Sequence, residues 1–228
     1  MTATRPTPAI YVINPNSTEA VTQGFDAALQ GLRVAGGPRI ECRTLHSGPP
    51  GVQSQQDVER VTLPLIDLCL DLPDDCAAVV IACFSDPGLF AVREALHAQR
   101  GIPVFGISEC GVLTALTLGQ RFGVIAILET SIARHLRAYG AMGVLDRLAG
   151  EQAIGLGVVE LADSERALAR MVAVGQSLVR DQGAQVLVMG CAGMAAFREA
   201  LQQATGVPVV EPTQAAVSMA VGRVLLGW

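Results

Sequence analysis

Two cysteines in matching surroundings are the residues of this sequence best placed to do chemistry. Cys83 stands in Val79-Val-Ile-Ala-Cys83-Phe-Ser-Asp-Pro87-Gly, and Cys191 stands in Val186-Leu-Val-Met-Gly-Cys191-Ala-Gly-Met in the other half of the chain. Each follows a short apolar run rich in Val that reads as a buried parallel strand, so each thiol falls where a strand ends and a helix begins. One such cysteine would pass as a small buried hydrophobe. A duplicated one is harder to dismiss, because open α/β sheets place ligands at the carboxyl ends of their strands. A thiol at a helix start, where unpaired N–H groups favour negative charge, is expected to ionise below its ordinary pKa. Two such thiols facing each other can invert a carbon: one thiolate removes a proton and the other thiol returns one to the opposite face. The carbon must be acidified by a neighbouring carbonyl, and donors must hold the developing enolate oxygen. Ser85, Asn14 and the N–H groups after each cysteine, at Phe84, Ala192 and Gly193, are the candidate donors. No metal or organic cofactor is required if the substrate supplies its own electron sink, and neither G-x-x-x-x-G-K-[ST] nor G-x-G-x-x-G after a strand occurs.

The elements that must position these thiols alternate. Strands are predicted at 10–13, 40–45, 77–82, 102–105, 122–128, 154–159, 186–189 and 207–210. Helices are predicted between them, with a last one from Pro212. The first helix is capped by Asn16 or Ser17, where Asn14 and Asn16 could face a ligand or serve the turn. Asp86 and Pro87 are expected to cap and open the helix after Cys83. Cys69 falls on a core-facing helix position, Cys110 is expected to be inert within its helix, and His135, beside Arg134 and Arg137, is expected to be an exposed helix residue. Residues 1–8 read as a loose tail. Gly101-Ile-Pro103-Val and Gly206-Val-Pro208-Val follow the two cysteines at similar distances. The fold class is therefore α/β with two similar lobes, each a parallel sheet flanked by helices, related by an approximate two-fold, with a cleft between them.

Bulk composition narrows the function classes. Half of the 228 residues are apolar and only 16% are charged, an excess that a homo-oligomeric interface would absorb. A net charge of -5 without any Lys/Arg cluster argues against nucleic acid and anionic membranes as partners. No apolar run has the length of a membrane span and no signal peptide is evident, so a cytoplasmic location is expected. The six cysteines show no C-x-x-C and no His/Cys ligand spacing, which predicts free thiols and no metal site.

The opening V-I-N-P-N-S, the loop G-P-P-G-V-Q-S, the stretch I-A-C-F-S-D-P-G and the segment V-M-G-C-A-G-M together resemble the aspartate/glutamate/hydantoin racemase superfamily, in its hydantoin/allantoin branch. The resemblance spans essentially the whole chain. It implies a cofactor-independent racemase in which Cys83 and Cys191 are the acid/base pair. Asn14, Asn16, Phe84, Ser85, Ile127, Ala192 and Gly193 would meet a small-molecule substrate, most plausibly a 5-substituted hydantoin or allantoin. It also implies that the last helix returns to the first lobe, giving lobe 1 as 1–105 with 212–228 and lobe 2 as 106–211. The segment Ala126-Ile-Leu128 is more apolar than its counterparts in relatives, which leaves the substrate's polar contacts open. The alternatives are a maleate-isomerase-like enzyme or amino-acid racemase on the same scaffold and, from another class, a two-lobed small-molecule binding protein.

Overall fold

The computed structural model describes residues 7–228, so most of the tail expected at 1–8 lies outside the described residues. The chain runs β1 (Ala9–Asn14), α1 (Glu19–Ala28), β2 (Arg39–Thr44), α2 (Gln55–Leu70), β3 (Cys76–Ile81), α3 (Leu89–Arg100), β4 (Val104–Gly106) and α4 (Ile107–Leu118). It continues with β5 (Phe122–Ala126), α5 (Glu129–Ala141), β6 (Leu148–Ala153), α6 (Ser164–Arg180), β7 (Val186–Met189), a 3-10 segment at Ala192–Phe197, α7 (Arg198–Thr205), β8 (Val209–Val210) and α8 (Pro212–Leu226).

Two four-stranded sheets result, in the orders β2-β1-β3-β4 and β6-β5-β7-β8, with all pairings parallel. The second order repeats the first, so the duplication read in the sequence is a duplication of topology. In each sheet the chain steps outward from the first strand, returns, and continues on the other side. That reversal makes the gap between β1 and β3, and again between β5 and β7, the switch point where such sheets hold ligands.

Strand periodicity decides which face each apolar residue serves. Ile10, Val12, Ala78 and Val80 point into a core shared with Ile125, Leu187 and Met189 of the second sheet. Their alternates Tyr11, Ile13, Val79 and Ile81 pack instead with Leu65, Cys69, Val92 and Leu96 beneath α2 and α3. Phe122, Val124, Val186 and Val188 face a third cluster with Tyr139 and Phe84. The largest core therefore crosses from one sheet to the other. Helix α1 packs on the 3-10 segment after Cys191, while α8 packs on α4 and on β1, β3 and β4. Cys69 is a buried packing residue, as its spacing predicted, and Cys110 is buried in α4.

Three local expectations are corrected. The strand predicted at 154–159 is β6, six residues earlier. Gly155 takes a positive φ of 71° there, which ends the strand, and both its N–H and that of Leu156 turn to the Ile127 carbonyl. Helix α3 starts at Leu89 after a left-handed Gly88, later than Asp86-Pro87 predicted. Asp86 itself sits at φ 42° and caps a different helix, accepting the Ser108 and Glu109 N–H groups of α4 at 3.0 and 2.9 Å. His135 is buried, because the α5 stripe Ser131, His135 and Tyr139 faces inward. Among the described residues no helix is long and apolar enough to cross a membrane.

Candidate active site

Cys83 and Cys191 each lie two residues beyond the third strand of their own sheet, β3 and β7. The exits from the two strands are pinned the same way. Ala82 donates its N–H to the Ile13 carbonyl at 2.8 Å, and Gly190 donates to Ile125 at 2.8 Å. At Gly190 the approach leaves no room for a side chain, since a Cβ would lie 2.6 Å from the Ile125 carbonyl oxygen.

Both thiols open on one cleft. Val21, Val52, Ala82, Phe84, Ile127 and Val158 supply apolar wall, and Asn16, Ser85, Ser131, Arg134 and His135 supply the polar side chains. Among the described residues no Asp or Glu lines it. Of the residues the sequence singled out, Cys83, Cys191, Asn16, Phe84, Ser85, Ile127 and Ala192 come together on this cleft. Asn14 and Gly193 do not line it. The Asn14 amide is taken up inside its own turn, donating to Asn16 Oδ1, the Thr18 carbonyl and Thr22 Oγ1 while its oxygen accepts the Asn16 N–H. It builds the loop that presents Asn16. Gly193 stands behind Cys191 and donates its N–H to the sulfur at 3.4 Å.

The electrostatics differ from the expectation of lowered thiol pKa values. Burial pushes Cys83 up to about 12 and Cys191 up to about 11. Neither thiol sits on the start of a long helix: α3 begins six residues after Cys83, and only a 3-10 segment follows Cys191. A single backbone N–H two residues on, from Ser85 and Gly193 respectively, opposes the effect of burial at each sulfur. Cys191 is close enough for its charge to raise Cys83 further, and the Arg134 cation pulls Cys83 down. The buried Glu211, which caps α8, raises Cys191. Such a pair holds its protons until a substrate or neighbour draws one away.

Arg134 and His135 are the cleft residues sequence reasoning missed. Next to Arg137 they read as a solvated helix face, yet the i, i+4, i+8 spacing of Ser131, His135 and Tyr139 was the available sign of an inward stripe. His135 Nδ1 lies 2.5 Å from Glu151 Oε1 on β6. Among the described residues, no group of three or more His, Cys, Asp or Glu side chains could hold a metal ion.

This architecture has known counterparts. A family model described as Asp/Glu/Hydantoin racemase matches residues 10–220. The hydantoin racemase of Paenarthrobacter aurescens is 34% identical over 225 residues, covering 96% of this chain and 92% of its own. That of Rhizobium meliloti is also 34% identical, over 96% of this chain and 88% of its own. The crystal structure of allantoin racemase from Pseudomonas fluorescens superimposes with a TM-score of 0.87 at 28% identity, covering 96% of this chain and 92% of that one. With a matched model running through both sheets and relatives at this identity along nearly the full length, the chain belongs to the Asp/Glu/hydantoin racemase family.

Proposed function

We propose that this protein racemises a 5-substituted hydantoin or allantoin, with Cys83 and Cys191 as the two acid/base groups and no cofactor taking part. The observation that carries the reading is the cleft itself: two thiols from equivalent strand ends open on one small space whose lining, among the described residues, holds a single arginine and no carboxylate. A free α-amino acid brings an ammonium group that would find no acidic partner among those side chains. A neutral heterocycle needs only hydrogen bonds for its carbonyl and N–H edges and apolar wall for its substituent. Relatives and a structural neighbour whose names state hydantoin and allantoin racemase support the same substrate class.

In this reading the ring lies between the sulfurs with C5 facing both. One thiolate takes the C5 proton, the electron pair passes into an enolate, and the other thiol protonates the opposite face. The raised pKa values keep both sulfurs protonated in the empty cleft, so the Arg134 cation beside Cys83 and the N–H groups of Ser85 and Gly193 favour the thiolate that the first step needs. Asn16, Phe84, Ser85, Ile127 and Ala192 form the substrate-facing set in this proposal. Lobe 1 is taken as 1–105 with 212–228 and lobe 2 as 106–211, a division supported by the packing of α8 on β1, β3 and β4.

Incubating the protein in deuterated water with one enantiomer of a 5-substituted hydantoin tests the proposal. Optical rotation should decay to zero with one deuterium entering C5. Retained optical purity across a panel of hydantoins and allantoin would refute it.

A further inference from the structure

Beside Cys83 the cleft wall is backed by a polar pair, His135 on the lining and Glu151 behind it, that the two-thiol chemistry leaves without a role. The side chains of His135 and Glu151 are 3% and 1% exposed, with Nδ1 and Oε1 2.5 Å apart. His135 nevertheless lines the cleft, and its ring stands edge-on to Phe84, the residue after Cys83, at 5.1 Å between centroids. Among the described residues Nε2 has no hydrogen-bond partner and is not completely enclosed, and it is the ring nitrogen left free to face the cleft that His135 lines.

Proton inventory decides what Nε2 offers there. A carboxyl group at this depth resists carrying an uncompensated charge. Its second oxygen, Oε2, is held by no close hydrogen bond; the Tyr139 hydroxyl and the Arg134 cation also act on the carboxyl, and the His135 ring is the nearest group that can balance it. Two arrangements leave the pair neutral: imidazolium against carboxylate, or a protonated carboxyl donating to Nδ1 of the neutral ring. In both, the hydrogen on the far side of the ring is on Nε2. Only the net-negative form, with Nδ1–H donating to a carboxylate, presents a bare Nε2. The other titratable or charged groups around the pair are Arg134 and Tyr139 on α5 and Cys83 and Asp86 after β3. Arg134 would favour the negative form, but its guanidinium is directed at Ser85 Oγ and the Gln53 and Thr130 carbonyls.

We propose that His135 is a further catalytic residue of this cleft: its Nε2–H donates to the substrate carbonyl oxygen that becomes the enolate oxygen, and Glu151 is the positioning residue that keeps the hydrogen on Nε2. This rests on the racemase reading above. As the C5–H bond breaks, the proton goes to a thiolate, the C–H electron pair forms a carbon–carbon double bond, and the carbonyl pair moves onto oxygen, where Nε2–H meets it. Reprotonation at C5 by the other thiol returns that pair and restores the carbonyl. Neither His135 nor Glu151 gains or loses a proton overall.

The test compares wild type, His135→Gln, His135→Leu and Glu151→Gln in deuterium exchange at C5, alongside 15N spectra of the histidine rings with and without 5,5-dimethylhydantoin. That compound has no hydrogen at C5 and so can occupy the cleft without turning over. In wild type Nε2 should be protonated at neutral pH and should shift when the compound binds. Exchange should fall about 10²-fold in His135→Leu, mainly in kcat, and His135→Gln, which keeps a donor N–H, should retain most of the rate. Glu151→Gln should mix the ring's tautomers, lowering the protonated fraction at Nε2. A bare Nε2 in wild type overturns the proposal, as does a folded His135→Leu variant that exchanges within about twofold of wild type. An unchanged Nε2 in Glu151→Gln overturns the role of Glu151. Exchange by wild type with no loss in His135→Leu sinks this inference alone, whereas no exchange by wild type on any hydantoin sinks the racemase reading with it.

Discussion

Arg134 on α5 reaches over the cleft to Ser85 on the loop after β3, with its Nε and one terminal nitrogen both 3.4 Å from Ser85 Oγ. The same side chain holds the Gln53 carbonyl ahead of α2. One residue of the second sheet's surroundings thus organises two loops of the first and brings a fixed positive charge beside Cys83. Burial pulls Arg134 down from its usual range, but a guanidinium remains charged at any working pH.

Replacing Arg134 with Ala should therefore lower kcat/KM about 10²-fold, the scale of losing one charged stabiliser in a closed site. Arg134→Lys should recover only part of this, because an ammonium cannot make the forked contact to Ser85 and Gln53. Steady-state kinetics with unchanged circular dichroism checks it.

At Gly190 the limit is space. A methyl group there would strike the Ile125 carbonyl oxygen at 2.6 Å and the Ala126 Cα at 3.1 Å, both of them backbone atoms that cannot swing aside. Gly190→Ala should destabilise the protein by about 1–3 kcal/mol and displace the neighbouring Cys191. Denaturant unfolding should show the loss, with racemisation falling further than stability alone explains.

Asp86 offers a contrast between side chains. Its carboxylate caps α4 from a left-handed backbone position. Asn tolerates that conformation and can still accept a hydrogen bond from the helix N–H groups, whereas Ala does neither. Asp86→Asn should be near neutral in stability, and Asp86→Ala should cost about 1–2 kcal/mol in chemical denaturation.

High pH should move stability and activity in opposite directions. Burial raises Cys69, Cys83 and Cys110 to about 12 and Cys76 and Cys191 to about 11. Folding thus favours the protonated thiols, and an unfolded thiol ionises near 8.5. The stability they contribute is complete below that value and is lost as pH rises through 11 to 12, at a rate of up to about 1.4 kcal/mol per pH unit for each thiol. The melting temperature should fall steadily above about pH 9, where unfolded thiols begin to ionise. Over the same range kcat/KM should climb with the thiolate fraction until unfolding intervenes.

Much of this molecule could be read from local sequence, and the parts that could not have a common cause. The Val-rich runs before Cys83 and Cys191 announce buried parallel strands without reference to anything distant, so the duplication and the positions of the thiols were legible. Strand β6 was misplaced because Glu151 makes it look polar, and Glu151 is inward only because His135 on α5 meets it there. Asp86 carries the usual signature of a cap, but the helix it caps is α4, brought alongside by the sheet. Arg134 reads as solvated until the loops at Gln53 and Ser85 are folded over it. Each miss is a polar residue whose partner lies on another element, a relationship that periodicity does not encode.

Two sulfurs that serve opposite faces of one carbon leave separate marks on proton exchange at C5 in deuterated water, read in the single variants Cys83→Ser and Cys191→Ser. Each variant is given each enantiomer of one 5-substituted hydantoin separately. Racemisation should fall about 10²- to 10⁴-fold in both, while each variant still exchanges deuterium into one enantiomer, a different one in each case. Two variants that keep the same enantiomer, or either one racemising at the wild-type rate, would rule out one sulfur on each face of the carbon.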